Sequence, residues 1–134
     1  MNRLRALERH IGYRGSVLLF FALWSLGNAA RLAWPPPEVA AGPAFAYLAS
    51  IAPLSALAAP WALVGVLCLV QAFTVADTAA FAALSGLLVA WAVVYLVGGL
   101  LGAIPQAAWA VIIQVVVAGL VLRISRWPEP SRGA

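Results

Sequence analysis

The stretch AAFAALSGLLVAWAVVYLVGGLLG, residues 79–102, holds 24 residues without one charged side chain. An α-helix rising ~1.5 Å per residue needs about 20 apolar residues to cross ~30 Å of hydrocarbon, so this run is long enough to span a bilayer. Three further runs, at residues 16–34, 57–74 and 107–124, are similarly long and apolar, with Arg31 and Arg123 near the ends of the first and last. Hydrophobic residues make up 65% of the 134-residue chain and charged residues 9%. Soluble domains carry roughly 45–50% and 25%, and a core this small has no room for so much apolar surface. The reading is an all-α integral membrane protein whose four transmembrane helices form an antiparallel bundle.

Charge is concentrated at the chain ends. All eight cations are arginine, and the formal net charge is +4. Arg3, Arg5, Arg9 and Arg14 precede the first run, and Arg123, Arg126 and Arg132 close the last and continue beyond it. Only Arg31 flanks the loop after the first run, and the next two connections have none. The positive-inside bias then places both termini in the cytoplasm, and four spans close that topology in an inner, cytoplasmic membrane. Trp34, Trp61 and Trp109 are expected at the outer interface and Trp127 at the inner one, with Arg14, Arg31, Arg123 and Arg126 as interfacial anchors. Arginines split between two flanks make no continuous basic face, which argues against a nucleic-acid partner and for the lipid bilayer.

Three regions follow. Residues 1–15 place Leu4, Leu7 and Ile11 at helical spacing among charges, an amphipathic segment that turns inward at Gly12 and Gly15. Residues 16–124 form the membrane domain, and 125–134 a flexible basic tail. A basic leader before an apolar stretch also resembles a cleaved signal peptide, but apolar character resumes past Arg31, so the first span is expected to be retained. Pro35, Pro36 and Pro37 end that span. In the loop that follows, residues 44–52 are apolar but too short to cross, which predicts a short interfacial helix. Pro60 and Trp61 are expected in the first turn of the second span. Asp77 is placed to cap the third.

Catalysis is not expected. No Ser/His/Asp set, HExxH, paired carboxylates or phosphate-binding glycine loop occurs. The single cysteine, Cys68, forms no disulfide or metal pair within the chain, and no cofactor or metal site is anticipated. Proton-coupled export needs an ionisable group at membrane depth. Asp77 falls in a turn, Glu38 in the proline loop and His10 in the leader. Small multidrug transporters, of similar size, carry a carboxylate in their first span, and this chain has none there.

Uncharged polar and small residues remain. Asn28, Gln71 and Gln114, with Ser25, Ser85 and Tyr95, are candidates for interhelical hydrogen bonds or for lining a pore. Ala110, Gln114 and Ala118 share a face at spacing i, i+4, i+8. Ala82, Gly86 and Ala90 form a small-residue stripe, and Gly98 and Gly102 a GxxxG pair that suggests close helix approach.

The segments GYRGSVLLFFALW (12–24), PPPE (35–38), APWALVGVLCLVQAF (59–73) and SRWPEP (125–130) together resemble small multi-span membrane proteins of actinobacterial phages and prophages, some of which are regarded as holin-like. The resemblance implies self-assembly in the host inner membrane and permeabilisation during lysis, and the arginines near the C-terminus match the charged tails of holins. Four spans is more than the commonest holins use. Two other readings stand beside it. One is a non-enzymatic accessory, scaffold or superinfection-exclusion protein that docks another membrane protein through the loop bearing Phe45 and Tyr47. The other is a small channel or transporter subunit.

Overall fold

The computed structural model describes residues 2–128, with side chains from residue 11 onward. Six helices follow in order: α1 (Asn2–Ala33), α2 (Pro37–Ala40), α3 (Pro43–Ile51), α4 (Leu54–Gln71), α5 (Thr78–Leu100) and α6 (Ala107–Ser125). Gly12 breaks α1 with φ 67° and ψ 176°, a conformation that costs a residue without Cβ little. Four segments are long and apolar enough to cross a membrane: Ile11–Ala33, Leu54–Gln71, Thr78–Leu100 and Ala107–Ser125. At 18 to 23 residues they measure about 27–35 Å, which matches the hydrocarbon thickness.

The boundaries follow local chemistry. Trp34 N–H makes the last helical bond of α1, to Ala30 O, before the three prolines. Pro37 and Pro43 open α2 and α3, where a missing N–H costs nothing. A short helix, α3, stands where the apolar residues 44–52 predict one. The second span starts at Leu54, three residues earlier than the apolar run suggested, because Pro53 serves as its N-cap. Pro60 therefore lies inside α4 rather than in its first turn, removing the amide that would bond the Ala56 carbonyl. At the far end of α5, Gly102 adopts φ +71° while Ala103 and Ile104 N–H both bond Gly98 O, a left-handed stop that reverses the chain into α6.

α1 packs along α4 and α5 along α6, and the two antiparallel pairs meet chiefly where α4 faces α5. The first pair is close because Gly65 has no side chain: a Cβ there would lie 2.8 Å from Leu26 Cγ and 3.1 Å from Leu26 N. The second is close at Gly99, where a Cβ would stand 2.6 Å from that of Ala107. Trp61 of α4 meets Trp91 of α5 edge to face at 5.4 Å. Trp61, Phe81, Leu84 and Leu88 fill the centre, each almost fully enclosed. The outer faces are apolar as well, with Leu23, Leu63 and Leu100 between 72% and 80% exposed. Such a surface suits lipid and would drive aggregation in water.

The first span begins and the fourth ends at the same end of the bundle, where Tyr13 stacks on Trp127 with ring centroids 5.7 Å apart. We call this the terminal end; α2 and α3 lie at the opposite, loop end. The amphipathic side chains of residues 1–10 and the tail residues 129–134, Arg132 included, lie outside the described side chains.

Candidate functional site

The terminal end brings an arginine, a carboxylate and an amide together at one turn. The bend at Gly12 sets Tyr13 and Arg14 at the start of the first span. Arg14 Nη2 donates to Asp77 Oδ1 at 2.7 Å, with side-chain exposures of 17% and 4%. The same guanidinium lies 5.2 Å from the centroid of the Phe81 ring. One arginine thus fastens the first span to the turn that joins α4 to α5, through a charge-assisted bond and a cation–π contact. Asp77 was expected to cap α5, and it does not: no side-chain cap bond forms. Its carboxylate is taken by Arg14, and Gln71 supplies the cap instead, its Oε1 accepting from Ala80 N–H at 2.8 Å. An amide reaching across the turn satisfies one of the free donors that every helix start presents.

Sequence reasoning missed the Arg14–Asp77 pair. Its signal was there: a lone carboxylate in an otherwise uncharged turn, on the same predicted side as the arginine nearest the first span. Arg14 is correspondingly an interhelical tie more than a headgroup anchor.

Within the spans the predicted polar residues separate. Asn28 donates to Trp24 O of its own helix at 3.0 Å, so it is satisfied without a neighbour. Gln114 is half-buried, and its Oε1 is enclosed with no hydrogen-bond partner; Ser25 Oγ, Ser85 Oγ and Trp61 Nε1 are in the same position. Gln114 shares its helix face with the buried Ala118, so the Ala110–Gln114–Ala118 strip turns into the bundle. Tyr95 and Asn28 line a hollow of about 20 Å³ with Arg31, Phe45 and Trp91. Arg31 lies over the Phe45 ring at 5.5 Å, and Tyr47 Oη donates to Val94 O at 3.2 Å, which holds α3 on the bundle.

The glycines also part company. Gly98 and Gly102 do not form a helix-packing pair. A Cβ at Gly98 would collide with Ile104 and Tyr47, at 2.7 and 2.8 Å, and Gly102 is the left-handed stop after α5. Gly86 lies on the outside with open space around it, between the exposed Ala82 and Ala90. Of the tryptophans expected at interfaces, Trp34 and Trp109 are well exposed at the loop end and Trp127 half-exposed at the terminal end. Trp61 is 1% exposed: it is a core residue, drawn in by Trp91, and not an interfacial anchor.

Among the described residues no group of three metal-ligating side chains comes together. No protein-family model matches the chain, and neither a curated protein nor a solved structure matches it. The fold defines its class without them: an all-helical membrane protein of four spans, tied at one end by an ion pair and closed through its centre by aromatic packing.

Proposed function

We propose that this chain is a small phage- or prophage-type protein of the host inner membrane, holin-like and non-enzymatic, which permeabilises that membrane by assembling with copies of itself. Both termini lie on the cytoplasmic side in this reading, supported by the arginine distribution. The resemblance of residues 12–24, 35–38, 59–73 and 125–130 to such proteins supports the phage assignment.

One observation carries the assembly step. Ala82, Gly86 and Ala90 form an outward strip on α5, and a Cβ at Gly86 meets nothing within 4 Å. In lipid, where hydrophobicity gives helices no reason to associate, flat small-residue strips are what permits close backbone contact. A single bundle whose centre is filled by Trp61, Phe81, Leu84 and Leu88 offers no aqueous route, so permeation requires several copies.

The test is inducible expression in a bacterial host, followed by growth and a potential-sensitive dye. Abrupt loss of membrane potential is expected, and Gly86→Leu is expected to delay or abolish it while the protein still reaches the membrane. Continued growth at high expression, with potential intact, refutes the holin-like reading and favours a non-lytic accessory role.

A further inference from the structure

The terminal end of α6 carries a hollow of about 400 Å³ lined by Gly119, Leu122, Arg123, Arg126 and Trp127. Its two halves differ in chemistry. Arg123 and Arg126, one turn apart and exposed, give one half two cationic side chains. Gly119 and Leu122 lie up to two turns deeper along the span, and a Cβ at Gly119 would meet nothing within 4 Å. From Gly119 to Arg126 the helix rises about 10 Å. Trp127 forms one wall and is braced by its stack on Tyr13.

Among the described residues, neither arginine side chain has a hydrogen-bond or ion-pair partner. The last carbonyls of α6 are served locally: Arg126 N–H bonds Arg123 O at 3.2 Å, Trp127 N–H bonds Ile124 O at 3.0 Å, and Ser125 Oγ bonds Leu122 O at 2.7 Å. Of the carboxylates among the described side chains, Asp77 is held by Arg14 and Glu38 sits in α2 at the other end. Two cations therefore lie beside an open apolar groove on the face of α6, an arrangement matched to an amphiphile with an anionic head.

We propose that this hollow binds an anionic phospholipid, its phosphate between Arg123 and Arg126 and the start of an acyl chain along Gly119 and Leu122. Guanidinium forks pair with phosphate oxygens in bidentate geometry, and the tryptophan supplies an amphipathic wall at headgroup level. A free phosphate shares the head chemistry but leaves the apolar surface at Gly119 and Leu122 uncovered, which favours the lipid. The site is independent of the assembly strip on α5 and of any lytic activity.

Lipid retention on the detergent-solubilised full chain, read by native mass spectrometry, tests the assignment with phosphatidylglycerol, phosphatidylcholine and inorganic phosphate as separate probes. Each arginine near a surface favours an anionic lipid by about fivefold, so phosphatidylglycerol is expected to bind about 25-fold more tightly than phosphatidylcholine, with inorganic phosphate not retained. Arg123→Gln with Arg126→Gln should bring the two lipids to near-equal binding. Because those substitutions also alter the topology signal, Gly119→Leu is the decisive partner. It keeps both charges, fills the groove and meets open space, and it should lower phosphatidylglycerol retention several-fold. Equal retention of the two lipids by the unmodified chain, equal retention of inorganic phosphate, or unchanged phosphatidylglycerol retention in Gly119→Leu would each overturn the proposal.

Discussion

The terminal end of the bundle and its interior handle polarity in opposite ways. At the end, Arg14 meets Asp77 and Phe81, Gln71 meets the first turn of α5, and Tyr13 meets Trp127. Every one of these contacts joins residues distant in sequence or bridges a turn. In the interior, Ser25, Ser85, Trp61 Nε1 and Gln114 Oε1 have no partner, and cohesion comes from Leu26 against Gly65 and Trp61 against Trp91. Apolar helices in lipid slide and rotate against one another at little cost, because lipid is as good a neighbour as leucine. Directional bonds at one end are what hold their register, and close packing does the rest.

Breaking the end should therefore cost most. Asp77→Asn leaves the Arg14 guanidinium facing a neutral amide, and a loss of about 3 kcal/mol is expected, read as a lower unfolding midpoint in detergent. An unchanged midpoint would mean that the pair is decorative. Gly65→Leu attacks the interior instead. A side chain there pushes on Leu26 and its backbone nitrogen, and about 2 kcal/mol should be lost, with crosslinks between α1 and α4 weakened. Gln71→Leu removes only the amide cap of α5, and about 1 kcal/mol is expected, seen as faster hydrogen exchange at the start of that helix. Gln114→Leu should reverse the sign. It replaces an enclosed, unpartnered carbonyl with a hydrocarbon and should stabilise by about 0.6–1 kcal/mol; a destabilisation would show that the amide has a partner in the membrane.

What was legible beforehand depended on how local the signal was. The four spans could be read from run length alone. Apart from the start of the first span, which lies at Ile11 and not at residue 16, their observed ends fall within about three residues of the apolar runs, because proline and glycine terminate helices wherever they fold. Trp61 was misplaced because its position near a span end matched an interfacial tryptophan; only the approach of Trp91 from α5 makes it a core residue. Gly98 and Gly102 carried the right spacing for a packing motif and serve a turn and α3 instead, since spacing cannot distinguish a helix neighbour from a loop neighbour. Asp77 looked like a cap because the residue before a helix usually is one, yet a guanidinium outcompetes neutral amides for a carboxylate.

Composition and periodicity by themselves settled that this chain forms four helices of membrane-spanning length with arginine-rich flanks, because backbone amides in hydrocarbon must bond within their own segment and that demand is met residue by residue along the chain. Tertiary structure alone decided which faces turn inward, which tryptophan is core, that Arg14 reaches Asp77, and that Gly86 is left outside. Those outcomes depend on how uniformly apolar helices rotate against one another. An apolar helix has no polar face to announce its orientation, so only contact between helices selects it.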